Sequence, residues 1–297
     1  MAINWKGVMP AITTCFREDL SIDHEFFARH CKWLVDSGCT GIITPGSLGE
    51  GATLGFDEKL ELWQTCVASV GDRVPVVAAI SALTTGEAVA LAKKAAEKGC
   101  RGLMVLPPYL YRGDWREMKA YVSTVLDATE LSCMLYNNPV AYGTDFLPEQ
   151  IFELAAEHEN LMAVKESSMD VRRVTAIRAL AGERLAIFVG VDDGIVEAIG
   201  AGAVGWIAGL VNALPAESVA LFDYAKKGDG KRAFELYRWF LPLLRMDTVP
   251  KFVQLIKLVQ QEVGMGNSRV RPPRLELTGT ELTQMLELIR SCLESRP

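Results

Sequence analysis

The sequence predicts an α/β protein, a (β/α)8 TIM barrel with a C-terminal helical appendage, and three observations carry that expectation. A glycine-punctuated phrase recurs as Gly38-Cys-Thr-Gly41-Ile-Ile-Thr, Gly99-Cys-Arg-Gly102-Leu-Met-Val-Leu and Gly202-Ala-Val-Gly205-Trp-Ile-Ala. Each time it closes a helical stretch and opens a strand, with glycine where a helix C-cap takes a left-handed residue. The strands are continuous apolar runs instead of alternating ones, as expected where helices cover a parallel sheet. The number of strand and helix units is about eight, the number that closes a barrel, and 297 residues suit one such domain. An open doubly wound sheet is the alternative, but no Gly-x-Gly-x-x-Gly follows the first strand.

In order, Gly7 to Thr13 forms the first strand, and Asp23 to Ser37 has helical spacing with Asp23 as N-cap. The second strand follows Gly41. Helix 57–70, strand 74–80, helix 85–98, strand 102–106 and helix 114–127 come next. Strand 132–136, helix 148–158, strand 161–165, helix 170–180, strand 185–189, helix 194–201, strand 204–208 and a helix near 216–227 complete the barrel, residues 1–227. Gly228-Asp-Gly230 breaks the chain. The appendage, residues 228–297, reads as helices 232–244, 251–263 and 280–293, with the proline- and arginine-containing stretch 267–273 as the loop before the last. Phe252, Leu255, Ile256, Val259 and Val263 share one face of the middle helix.

Composition narrows the function. A hydrophobic fraction of 49% with mixed charge describes an ordered globule, and a net charge of -6 with no basic stripe argues against nucleic acid. Seven scattered cysteines, none in a Cys-x-x-Cys pair, read as small apolar residues in a reducing compartment. The N-terminus carries no basic segment followed by an apolar one, and no apolar run reaches the roughly 18 residues of a membrane span. A cytoplasmic protein is expected. His24, His30 and His158 all fall in helical stretches, away from strand ends, so neither a Ser-His-Asp machine nor a histidine-rich zinc site is expected. No cofactor or metal is implied.

Barrel enzymes work from the C-terminal ends of their strands. Here those ends read Thr44-Pro-Gly46-Ser47-Leu48-Gly49-Glu50-Gly51, Leu106-Pro-Pro-Tyr109-Leu110-Tyr111-Arg112, Tyr136-Asn-Asn-Pro139, Lys165-Glu166-Ser167-Ser168, Gly190-Val-Asp192-Asp193 and Trp206-Ile207-Ala208-Gly209. Lys165 is the first polar group past the apolar run Leu161-Met-Ala-Val164. That position strips water from the amine and suits it to covalent work. Tyr136, one strand away, is a candidate proton shuttle, and the glycine-rich turn at Ser47 presents backbone N–H groups to an anion such as a carboxylate. Simpler readings stand beside each: Tyr136 closing a turn, Ser47 capping a helix, Asp192 or Asp193 opening the seventh helix. Their joint placement at successive strand ends favours the functional reading.

The phrases Gly46-Ser47-Leu48-Gly49-Glu50, Tyr136-Asn137-Asn138-Pro139 and Val164-Lys165-Glu166 resemble, in order and spacing, those of the dihydrodipicolinate synthase and N-acetylneuraminate lyase superfamily. The resemblance covers nearly the whole chain. It implies a barrel with a helical C-terminal domain, assembled as a homo-oligomer, a tetramer of tight dimers. It implies that Lys165 forms a Schiff base with a 2-oxo acid, that Tyr136 shuttles protons and that Ser47 relays them. The backbone at Ser47 and Leu48, with Ile207, would hold the substrate carboxylate, and Gly46, Gly190 and Asp192 complete the expected substrate-binding set.

The chain also departs from the synthase pattern. Leu48 stands in place of a threonine, Val140-Ala141-Tyr142 offers no arginine for a second carboxylate, and Leu110 stands where a second tyrosine is usual, leaving Tyr109 or Tyr111 as substitutes. The phrases Tyr-Asn-Asn-Pro-Val-Ala-Tyr, Glu-Ser-Ser-Met-Asp-Val-Arg-Arg and Gly-Val-Asp-Asp look most like the branch acting in hydroxyproline breakdown. That branch deaminates 1-pyrroline-4-hydroxy-2-carboxylate to 2,5-dioxopentanoate. The alternatives are a pyruvate-dependent aldolase or dehydratase of 2-oxo-3-deoxy sugar acids, dihydrodipicolinate synthase itself, and a non-catalytic sensor of small acids. A phosphate-binding barrel is disfavoured because Asp192 and Asp193 would repel phosphate near strands seven and eight.

Overall fold

The computed structural model describes residues 3–297. Eight parallel strands, β1 (Gly7–Pro10), β2 (Ile42–Thr44), β3 (Val76–Ile80), β4 (Gly102–Val105), β5 (Ser132–Asn137), β6 (Leu161–Glu166), β7 (Ala186–Val189) and β8 (Gly205–Ala208), pair with their neighbours in sequence. β1 also pairs with β8. A bridge between Ala11 and Ile43 joins β1 to β2 and completes the circle. The sequence therefore names the right architecture, with strand ends displaced by a few residues where hydrogen bonding stops before the apolar run does.

Helices α1 (His24–Asp36), α2 (Phe56–Val70), α3 (Thr85–Glu97) and α4 (Trp115–Asp127) follow the first four strands. After β5 come a one-turn helix, α5 (Pro139–Tyr142), and α6 (Pro148–Glu157); α7 (Arg172–Ala181), α8 (Ile195–Gly200) and α9 (Pro215–Lys227) follow the last three strands. The expected cap is present: the Asp23 side chain accepts a hydrogen bond from Phe26 N. α5 was not expected. Asn138 caps it, Pro139 opens it and Gly143 ends it at φ 70°, the residue order that suits a short helix.

The two glycines of the recurring phrase do different work. Gly38, Gly99 and Gly202 take φ values of 101°, 84° and 108°, where a side chain is strained. The second glycine is a packing requirement, clearest at Gly205, where a Cβ would fall inside the ring of Phe188. Phe188 and Trp5, whose rings meet edge to face at 6.2 Å, fill this end of the core.

Helices α10 (Gly230–Leu244), α11 (Phe252–Glu262) and α12 (Gly279–Glu294) make the appendage. It is fastened to the barrel by a buried ion pair: Glu50, in the loop after β2, meets Lys257 of α11, and neither is more than 1% exposed. Glu50 also accepts a hydrogen bond from Arg271 N, and Lys257 donates to Arg269 O. The link between α10 and α11, Arg245–Thr248, lies in a 3-10 turn that reaches the mouth of the barrel. Among the described residues, no helix is long and apolar enough to cross a membrane.

Candidate active site

A cavity of about 470 Å3 opens at the C-terminal ends of the strands, where barrel chemistry is expected. Lys165 lies in its wall and is 6% exposed. Its strand neighbour is Tyr136: the two occupy the same rung of β5 and β6, and Lys165 Nζ stands 4.0 Å from the centroid of the tyrosine ring. Among the described residues no hydrogen-bond acceptor or carboxylate engages that amine, which faces the cavity and the ring.

The register also explains why Tyr-Asn and Lys-Glu run as pairs. One rung further, Asn137 faces Glu166. Successive residues on a strand face opposite sides, so Tyr136 and Lys165 enter the barrel while Asn137 and Glu166 brace its outside. Asn137 Nδ2 donates to Glu166 at 3.0 Å, Asn137 Oδ1 accepts from Phe146 N at 2.9 Å, and Glu166 accepts from Ser168 N at 2.7 Å. Arg173 Nε lies 3.6 Å from the same carboxylate. The loops after β5 and β6 are thereby held together.

Room for the lysine comes from Gly190, at the end of β7. A Cβ there would overlap both Lys165 Cε and Ser167 Oγ. Gly190 lines the cavity, and its want of a side chain is what admits the amine.

Ser47 contacts the phenol of Tyr142 through their hydroxyl groups. The Tyr142 ring packs edge-on against Tyr136 at 5.7 Å and against Tyr109 at 5.5 Å, so three phenols surround the amine's approach. Asn138 Nδ2 donates to Tyr136 OH at 2.9 Å. Burial holds the Tyr142 phenol well above its ordinary pKa, reinforced by the neighbouring Tyr136 and Tyr109 and opposed by the Ser47 hydrogen bond. It therefore keeps its proton at neutral pH and can donate one.

A scan against family models matches residues 4–292 to the dihydrodipicolinate synthetase family. The chain belongs to that family. Among curated relatives, the 4-hydroxy-tetrahydrodipicolinate synthase of Natronomonas pharaonis is 36% identical over 78% of this chain and 79% of its own length. The same-named enzyme of Acidothermus cellulolyticus is 32% identical over 94% of this chain and 90% of its own. Of solved structures, dihydrodipicolinate synthase from Aquifex aeolicus superposes with a TM-score of 0.92 at 27% identity, covering 96% of this chain and 97% of that one. YagE of E. coli K12, a member of the family in complex with pyruvate, gives a TM-score of 0.92 at 25% identity, covering 98% of this chain and 99% of that one. Family membership makes the protein a lyase of the lysine Schiff-base class.

Of the residues singled out in the sequence, Gly46, Ser47, Leu48, Tyr136, Lys165, Gly190 and Ile207 all line the one cavity. Asp192 does not. It is fully buried beneath the loop after β8, and its carboxylate is occupied by Trp206 Nε1 at 3.0 Å, Gly209 N at 3.0 Å and Leu210 N at 2.7 Å. Burial lifts its pKa to about 6 against the pull of those donors. Where a substrate ligand was expected, the structure has a brace for the loop. Leu110 points away from the cavity and is 92% exposed, and of the two tyrosines suggested in its stead, Tyr109 lines the cavity and Tyr111 hydrogen-bonds Glu117.

Tyr142, Ser167, Asp247 and Arg274 are wall residues that motif reading did not assign. A local signal existed for Tyr142: Asn138 as cap and Pro139 as first helical residue put it one helical turn on, back above Tyr136. No local signal marked Asp247 or Arg274, which arrive from the appendage.

Proposed function

We propose that this protein forms a Schiff base between Lys165 and C2 of a 2-oxo acid or its cyclic imine, and that the reaction is deamination of 1-pyrroline-4-hydroxy-2-carboxylate to 2,5-dioxopentanoate and ammonia. The observation that carries the chemistry is the unpaired Lys165 amine over Tyr136 in a closed-in cavity. The backbone N–H groups of the turn at Gly46 to Leu48 would hold the C1 carboxylate. Lys165 adds to C2, and the ring C2–N bond breaks, leaving a lysyl imine and a free amine on C5. Tyr136, whose hydroxyl accepts from Asn138 Nδ2 and whose ring packs against Tyr142, serves as proton shuttle at C3. The resulting enamine expels the 4-hydroxyl as water, a proton shift from C5 to C3 makes a C4=C5 enamine, and its tautomerisation, with one proton leaving the amine and one joining C4, makes the C5 imine. Two waters then hydrolyse the C5 imine to aldehyde and ammonia and the lysyl imine to the 2-oxo acid, so one water is consumed overall.

A second reading, 4-hydroxy-tetrahydrodipicolinate synthesis, is favoured by the names of the relatives. Against it stands the cavity lining: Val140 and Ala141 put apolar surface where the resemblance calls for an arginine to hold a second carboxylate. A homo-oligomer is part of the same proposal, since Leu110 and Val140, 92% and 67% exposed, are apolar surface a second copy would cover.

Borohydride reduction with pyruvate tests the Schiff base: intact-mass analysis should show an adduct in the wild type and none in Lys165→Ala, and its absence from the wild type would refute the chemistry. Ammonia release from 1-pyrroline-4-hydroxy-2-carboxylate then decides between the two substrates. If instead pyruvate and aspartate semialdehyde are consumed together and no ammonia appears, the synthase reading stands.

A further inference from the structure

The cavity wall carries three charged side chains, Lys165, Asp247 and Arg274. Arg274 already faces an acid, its guanidinium lying 3.9 Å from the buried Glu50. Asp247 has no such partner. Among the described residues its carboxyl group neither accepts a hydrogen bond nor forms an ion pair, while the neighbouring acids are engaged: Asp192 by three N–H groups, Asp193 by Arg245 at 3.8 Å. The appendage delivers Asp247 over the ends of β7 and β8, and Gly209 makes its place, since a Cβ on that residue would collide with the carboxyl group. A free carboxyl group, in the wall of a cavity whose amine it senses electrostatically, is a ligand in search of a donor.

We propose that Asp247 reads the far end of the substrate, accepting a hydroxyl or an amine there and rejecting a carboxylate. The proposal rests on the Lys165 reading above and deepens it by naming the substrate class. With C2 fixed at Lys165 and C1 at the turn after β2, the remaining carbons would extend toward the part of the wall that the appendage supplies, Asp247, Thr248, Val249, Pro250 and Phe252. That part of the wall is apolar apart from Asp247 and the Thr248 hydroxyl. A hydroxyl can donate to the Asp247 carboxyl, and an ammonium, such as the one freed at C5 by ring opening, can pair with it. A terminal carboxylate would instead bring a further negative charge to the place where the acids Asp247, Asp192 and Asp193 already gather. Burial and those neighbouring acids, Asp192 foremost, hold the Asp247 carboxyl well above the ordinary carboxylate range, with Lys165 opposing. A place that already resists one negative charge resists a second more strongly.

The test uses two five-carbon acids differing only at C5, 5-hydroxy-2-oxopentanoate and 2-oxoglutarate, offered together in equal amounts to full-length protein and trapped with borohydride. Intact-mass analysis reads the ratio of adducts in the wild type and in Asp247→Asn, with pyruvate trapping as the control for an intact Lys165 site. The wild type is expected to favour the hydroxy acid by about tenfold or more, the scale of a like-charge penalty at close range. Asp247→Asn is expected to lose most of that preference while trapping pyruvate as well as the wild type does. Equal ratios in the two proteins, a wild-type preference for 2-oxoglutarate, or a wild type that traps pyruvate but neither longer acid would each overturn the proposal and leave the Schiff-base reading standing. A wild type that fails to trap pyruvate would remove both.

Discussion

Tyr136 and Lys165 share a rung of the parallel sheet, with the lysine Nζ 4.0 Å from the centre of the tyrosine ring. Fixed by backbone pairing, this geometry does not depend on substrate to assemble. Tyr136→Phe should preserve the ring face under the amine while removing the hydroxyl. The borohydride adduct with pyruvate is therefore expected to form in the variant, with turnover reduced by about 10²-fold or more, the usual size of a lost proton shuttle. Steady-state kinetics alongside intact-mass trapping check both halves.

Ser47 and Tyr142 act as one unit if the contact between their hydroxyls relays protons. Ser47→Ala and Tyr142→Phe should each lower kcat, and the double variant should be little worse than either single one, because groups working in series are not additive. Full additivity in the kcat values of the four proteins would count against a relay.

The Glu50–Lys257 pair ties the loop after β2 to α11 inside the protein. Lys257→Met strands the Glu50 carboxylate beside Arg274 and Arg271 N alone, and is expected to cost about 3–5 kcal/mol in unfolding free energy. Pairing it with Glu50→Leu should recover part of that loss, which denaturant titration of the single and double variants will show.

His30 lies fully buried in α1, with Nε2 3.0 Å from the Asn212 carbonyl and, among the described residues, no partner for Nδ1. It is neutral there, since burial depresses its pKa to about 4 against the pull of that carbonyl. A histidine whose folded pKa lies below its unfolded value of about 6.5 leaves stability intact above that value. As pH falls from there toward 4, the unfolded chain takes up a proton that the folded chain refuses, and stability is lost. Between pH 7 and pH 4.5 this one group should cost about 2.5 kcal/mol. His30→Gln, measured by thermal or denaturant unfolding at both pH values, should show a pH loss smaller than the wild type's by about that amount.

The sequence by itself determined the architecture and pointed to the proposed covalent centre. Apolar runs of strand length, helical spacing between them and the Gly-x-x-Gly phrase are local features, governed by backbone sterics and by the burial of successive residues, and they led to eight strands and their order. Because a parallel barrel puts every strand's C-terminal end at one mouth, the same reading could bring Ser47, Tyr136, Lys165, Gly190 and Ile207 into one cavity. Only the tertiary structure decided where the remaining polar groups point. Asp192 looked like a ligand in sequence yet spends its oxygens on backbone N–H groups near Gly209, while Tyr142 came to meet Ser47 from 95 residues away. Asp247 reached the mouth only because the appendage packs over β7 and β8 around a glycine. Which donor a buried acid or phenol finds depends on elements distant in the chain, and the energy of satisfying it, comparable to that of a whole hydrogen bond, leaves no periodic trace in the sequence.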